Sequence, residues 1–169
     1  STSFPVDSTR IPYPRARGYS LPLSPELDVQ DGPLIDFTEQ NPSYAWAAGA
    51  VISNLPDLCT FFRKVLRGRL LPRQLVGEML TTVPVPREKL PLPVFEGSGL
   101  GIVEVATPHG PVVGNAGGIP GFLNMILSTP DGARQAGVVI NVGDRAPGPV
   151  VNTFEGTIQA LGTRLYAAA

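Results

Sequence analysis

Between residues 55 and 66 the apolar side chains Leu55, Leu58, Phe61, Phe62, Val65 and Leu66 recur at intervals of three and four, the stripe of an amphipathic helix. Ser53 or Asn54 offers an N-cap oxygen, Pro56 falls in the first turn where a missing N–H costs nothing, and Asp57 places a carboxylate at the positive helix end. Arg63, Lys64 and Arg67 gather at the opposite end, and Gly68 stops the helix. A second stripe, Leu75, Val76, Met79 and Leu80, starts behind Pro72 and predicts a short helix to about residue 80, so the two form an αα-hairpin. From residue 99 the period drops to two. Leu100, Ile102 and Glu104 alternate with Gly101, Val103 and Val105, a short return strand follows at 111–114, and 122–128 and 137–142 repeat the pattern on either side of the turn Thr129-Pro130-Asp131-Gly132. This is an antiparallel meander with two apolar faces, which calls for cover on both sides. Residues 149–165 supply a closing helix with Val150, Val151, Phe154, Ile158, Leu161 and Leu165 on one stripe.

The first 45 residues follow neither period. Pro5, Pro12, Pro14, Pro22, Pro25, Pro33 and Pro42 interrupt any helix, so residues 1–45 read as an extended arm, and residues 46–169 as the domain proper. The arm's Phe4, Tyr13, Tyr19, Leu21, Leu34, Ile35 and Phe37 fit a segment stitched along a surface, and its proline content fits a partly ordered linker equally well. Prolines return at 84, 86, 91 and 93 in an extended connection.

A chain of 169 residues with 43% hydrophobic content can bury one domain core, and a net charge of −1 gives no electrostatic case for a nucleic-acid partner. No apolar run approaches the roughly 20 residues of a membrane span, and the residues that open on Ser1 do not read as the basic segment and hydrophobic core of a signal peptide; the compartment stays open. One cysteine excludes an internal disulfide, and one histidine excludes a histidine-rich metal site. Cys59, on the first helix, reads as a small buried hydrophobe, because no histidine or lysine lies at helical spacing to lower its pKa. His109 falls in a turn and reads as solvated. The densest unusual feature is the cluster Gly114-Asn115-Ala116-Gly117-Gly118-Ile119-Pro120-Gly121-Phe122, where the backbone can be approached closely.

The order of these features resembles the C-terminal half of the serine β-lactamase-like family, which includes class C β-lactamases, D-alanyl-D-alanine carboxypeptidases and related esterases. The resemblance rests on residues 47–53, Asp57-Leu58, Phe61-Phe62, Gly68-Arg69-Leu70-Leu71, Met79, Gly99-Leu100-Gly101-Ile102, the spaced run Gly114, Gly117-Gly118, Pro120-Gly121-Phe122, and Asp131-Gly132. It extends from about residue 15 to 165, and its specificity comes from the shared order of motifs that are individually weak. It implies a partial β-lactamase-like fold of α/β (α+β) type: an antiparallel sheet of three to five strands flanked by the C-terminal helix and the αα-hairpin.

Two of the family's three catalytic motifs are missing. Lys64 and Lys89 are preceded at the third position by Phe61 and Pro86, so there is no Ser-x-x-Lys. Tyr13, Tyr19, Tyr44 and Tyr166 are followed two residues on by Arg15, Leu21, Trp46 and Ala168, so there is no Tyr-x-Asn. The Lys/His-x-Gly strand corresponds to Asn115-Ala116-Gly117, with asparagine in place of the charged residue. No catalytic residue is assigned, since a serine hydroxyl needs a neighbouring base and Ser98, Ser128 and Asp131 sit at turns and strand ends. The resemblance implies a substrate-binding strand of Asn115, Ala116, Gly117 and Gly118: the Gly118 N–H as one oxyanion donor, Gly117 admitting substrate backbone, Asn115 bonding a carbonyl or carboxylate. Close packing and a β-bulge are the alternative use of the same glycines. The expected ligand is a small amide, ester or peptide, with no cofactor and no metal. A homodimer or an N-terminal partner segment would complete the sheet. The functional readings are a part of an acyl-transfer hydrolase whose nucleophile lies elsewhere, a non-catalytic binding or assembly module, and a small repurposed biosynthetic enzyme.

Overall fold

The structure is a computed structural model that describes residues 2–22, 32–86, 94–143 and 148–167. The chain divides into two compact units that interleave along the sequence, one of residues 1–54, 117–124 and 139–152, the other of 55–116, 125–138 and 153–169.

The second unit holds the αα-hairpin and the closing helix. Helix α2 spans Leu55–Leu66 and α3 spans Arg73–Leu80, preceded by Pro72 as its N-cap. A short helix α1, Trp46–Gly49, precedes them in the chain. Phe62, Leu66 and Val76 from the hairpin are buried together with Val113 and Ile126 from the sheet and Ile102, which precedes its strand Val103–Val105, and Leu55, Leu58, Cys59, Leu71, Met79 and Leu80 pack around them. Phe61, placed by its spacing on the same stripe, is 57% exposed instead: it lies at the edge of the buried arc, one residue from Phe62. Leu75 is likewise exposed. Helix α4, Gly148–Ala167, covers the opposite face of the sheet. A Cβ at its Gly162 would meet Val112 at 3.1 Å, Thr107 at 3.3 Å and Leu127 at 4.0 Å. Because successive side chains on a strand point to opposite faces, Val112 and Leu127 belong to one face while Val113 and Ile126 belong to the other. Gln159 and Arg134 donate side-chain bonds to the carbonyls of Ala106 and Leu165, fixing α4 at both the loop and the helix end.

The strands are β1 (Tyr19–Ser20), β2 (Ile35–Asp36), β3 (Val83–Pro84), β4 (Gly97–Ser98), β5 (Val103–Val105), β6 (Val112–Ile119), β7 (Phe122–Ser128) and β8 (Gln135–Ile140). The last six form one sheet in the order β3-β4-β5-β6-β7-β8, so neighbours in sequence are neighbours in space. The expected meander is present, and among the described residues it has six strands where three to five were anticipated. The additional pairing comes from the proline-bearing connection, where Val83 and Pro84 pair antiparallel with Ser98 and Gly97. Residues 99–101, with the periodicity of a strand, instead bend the chain between β4 and β5, and Gly101 takes a left-handed φ of +72°.

In the first unit β1 and β2 pair antiparallel, Tyr19 opposite Asp36. Tyr19 also donates its N–H to the Asn141 carbonyl at 2.9 Å and accepts from the Gly143 N–H at 2.7 Å. Ser3 and Ile52 exchange both backbone bonds, and the Phe37 N–H reaches the Gly18 carbonyl at 2.8 Å. These bonds hold the described part of the proline-rich arm along other backbone of its unit. They replace the helical or sheet ladders that its prolines prevent.

Candidate functional site

Strand β6 runs unbroken from Val112 to Ile119 and carries all four candidate residues. Its pairing with β5 is shorter than the strand: Val105, Glu104 and Val103 oppose Val112, Val113 and Gly114, and the ladder ends there. Residues 115–119 therefore overhang β5 and leave the edge on that side without a strand partner among the described residues. An overhanging edge carries main-chain donors and acceptors that an extended ligand can use.

Each candidate residue has a definite place on the overhang. Asn115 is exposed, and its amide nitrogen donates to the Gly101 carbonyl at 2.8 Å. One amide N–H is thereby fixed, and a primary amide retains a second N–H and a carbonyl oxygen. Ala116 is half-buried. Gly117 lies beneath the Asn124 side chain, whose amide nitrogen donates to the Gly117 carbonyl at 3.3 Å and would stand 2.7 Å from a Cβ at that position. Gly118 is exposed. Beyond them the chain turns tightly, with Gly121 at φ +94°, and the Gln40 amide donates to the Pro120 carbonyl.

Asn124 and Gln40 are contributions that sequence reasoning missed. Asn124 stood in the alternation of 122–128 as an ordinary polar position; its signal was an amide placed on the strand that returns past a glycine. Gln40, eighty residues from its partner along the chain, gave no local signal.

The other chemical candidates stay apart from this strand. Cys59 is half-buried against the helical core, and burial pushes its thiol pKa up, away from thiolate reactivity. Ser128 is fully buried, with its hydroxyl bonded toward the Thr129 and Arg134 carbonyls and approached by the Gln135 amide, which leaves it no access to substrate. Asp131 accepts from the Thr129 hydroxyl and the Ala133 N–H, and these bonds hold its carboxyl below the usual range. His109 is an exposed turn residue whose N–H bonds the Thr107 hydroxyl. A cleft of about 270 Å³ in the first unit is lined by Arg15, Arg17, Asp36, Thr38 and Glu39. Its charges are already matched within it, Arg15 with Glu39 at 3.0 Å and Arg17 with Asp36 at 3.4 Å. Among the described residues no group of three or more His, Cys, Asp or Glu side chains is placed to hold a metal ion, and no helix is long and apolar enough to cross a membrane.

No family model matches the chain. Among solved structures it is similar to a D-stereospecific amidohydrolase from Streptomyces sp., with 37% sequence identity and a TM-score of 0.71 over 89% of this chain and 41% of that one. The fold is part of the D-amino acid amidase fold. The D-amino acid amidase from Ochrobactrum anthropi SV3 aligns in its complex with D-phenylalanine at 21% identity and a TM-score of 0.66, over 92% of this chain and 46% of that one. Its complex with L-phenylalanine amide aligns at 24% identity and a TM-score of 0.60, over 85% and 42%. At those identities the likeness is one of fold alone. These amidases belong to the penicillin-binding protein and β-lactamase-like serine hydrolase superfamily, the group that the motif order resembles. The chain spans about two-fifths of the length of the Streptomyces amidohydrolase, so it shares only part of the amidase fold.

Proposed function

We propose that this chain supplies the substrate-side strand of an amide-directed acyl-transfer hydrolase, with Asn115, Ala116, Gly117 and Gly118 as its contact residues and a nucleophile that lies outside these 169 residues. The observation that carries the reading is the overhang of β6: the four residues lie just past the point where β5 stops pairing. The 37% identity to a D-stereospecific amidohydrolase supports an amide of a D-amino acid as the substrate class.

In this reading the substrate acyl carbonyl lies against β6, and the Gly118 N–H donates to its oxygen as charge develops there; a fixed backbone donor of this kind is worth roughly 3–4 kcal/mol of transition-state stabilisation. Gly117 keeps the strand surface low so that substrate backbone can approach. Asn115, held by the Gly101 carbonyl, presents its remaining amide groups to a substrate carbonyl or carboxylate. Asparagine contributes no charge, so it orients the ligand and does not attract it over distance.

Titration of the isotopically labelled chain with D-phenylalanine amide, followed by amide NMR, tests the proposal. Shifts centred on residues 115–118 are expected, with affinity altered at least severalfold by Asn115→His, which restores the residue type of the resembled motif. Shifts elsewhere, or unchanged affinity in the Asn115→His protein, would remove the strand from the site.

A further inference from the structure

The carbonyl of Gly117 and the N–H of Gly118 belong to one peptide unit. That unit is trans, since the cis bond among the described residues is at Tyr13-Pro14, and in a trans peptide the carbonyl and the N–H point to opposite sides of the chain. Whatever holds the carbonyl therefore aims the N–H. The two residues themselves do little to hold it. Neither glycine has a Cβ to resist rotation of the peptide plane, and neither takes a left-handed φ that would mark a turn. Past Gly114 the strand keeps a ladder on the β7 side alone, among the described residues.

A side chain on β7 meets this need. Asn124 is half-buried, and its Nδ2 donates to the Gly117 carbonyl at 3.3 Å. The amide fits there because Gly117 has no side chain: a Cβ would stand 2.7 Å from Nδ2 and 3.3 Å from Oδ1. The bond turns the carbonyl toward Asn124 and so turns the N–H of the exposed Gly118 away from it. A bond accepted at the carbonyl also polarises the peptide and strengthens its N–H as a donor.

We infer that Asn124 is a positioning residue for the oxyanion donor: its carboxamide fixes and polarises the Gly117–Gly118 peptide, and it acts on the substrate through the Gly118 N–H. The inference rests on the proposed reading of that N–H as a donor. A peptide plane held in advance leaves no reorientation for the moment at which charge develops on the substrate oxygen. Leucine has the branched outline of asparagine and no N–H, so it can fill the same space without holding the carbonyl.

Residual dipolar coupling at the Gly118 amide, measured on the isotopically labelled chain without ligand, tests the orientation. Asn124→Leu should reduce that coupling at least twofold while the other β6 and β7 amides keep theirs, and Asn124→Gln, which retains an amide N–H, should preserve it. An unchanged Gly118 coupling in Asn124→Leu overturns the inference, and so does an equal loss in both variants, which would make Asn124 a packing residue. Titration with D-phenylalanine amide then reads the donor itself. The Gly118 proton should move downfield in the parent chain and in Asn124→Gln, and at least threefold less in Asn124→Leu; an equal shift in Asn124→Leu likewise overturns the inference. Absence of any shift at residues 115–118 in the parent chain is a different failure, that of the strand as a substrate site, and the coupling without ligand still decides whether Asn124 orients the peptide.

Discussion

Two glycines on β6 separate packing from contact. A Cβ at Gly114 would fall 2.1 Å from the Ile126 carbonyl oxygen, a backbone atom that cannot yield without parting the strands. Gly114→Ala is expected to destabilise the fold by about 1–3 kcal/mol or more, seen as a lowered denaturation midpoint. At Gly117 the nearest obstacle is the end of the Asn124 side chain, which can rotate away. Gly117→Ala should therefore cost less than about 1 kcal/mol in the same experiment, yet weaken binding of D-phenylalanine amide if substrate backbone approaches there. Equal stability losses at the two positions would mean that both glycines serve packing alone. Asp131 gives a residue-level prediction in pH. Bonds from the Thr129 hydroxyl and the Ala133 N–H lower its pKa from 3.8. A carboxyl whose folded pKa is depressed contributes stability that is present above its unfolded pKa and lost as pH falls through the folded one. Thermal melts should show that Asp131→Asn loses stability at neutral pH and has a flatter decline below about pH 4 than the parent, because the variant has no carboxylate left to protonate.

At the level of elements, α2 is a test of which apolar positions do the packing. Phe62 is 8% exposed and sits in the core cluster, whereas Phe61 is 57% exposed. Phe62→Ala should cost about 3–5 kcal/mol and Phe61→Ala only about 0.5 kcal/mol, measured by chemical denaturation. Periodicity located both helices of the hairpin, the meander and α4, because each buries one repeating face and that repetition is written in the residues themselves. It could not decide between Phe61 and Phe62, since adjacent residues at the border of a helical stripe differ only through what the sheet presents to them. The strand starting at residue 99 was misplaced for a related reason: Leu100 and Ile102 alternate correctly, but Gly101 at φ +72° bends the chain before β5 begins. The overhang of β6 was equally hidden. It depends on where β5 stops, and pairing length is a property of two strands that neither sequence states alone.

For the whole molecule, the lengths of the matches set the frame. The chain accounts for 41% of the Streptomyces amidohydrolase, and neither Ser-x-x-Lys nor Tyr-x-Asn occurs in its sequence. The resemblance was legible because glycine and proline punctuation keeps its order even where the charged residue of the third motif is replaced by Asn115. The bonds from Gln40 to Pro120 and from Asn141 to Arg17 were not legible, because they join positions remote in sequence through single side chains. The role proposed for this chain is the substrate-side wall of an amide hydrolase, with the nucleophile and the Ser-x-x-Lys and Tyr-x-Asn motifs outside these 169 residues. Its most direct test is complementation: the purified chain is mixed with the part of the Streptomyces amidohydrolase that it does not match, and release of ammonia from D-phenylalanine amide is measured. The account predicts hydrolysis that neither component shows alone and that falls at least tenfold with Gly117→Ala. A stable complex of the two parts that releases no ammonia would contradict it.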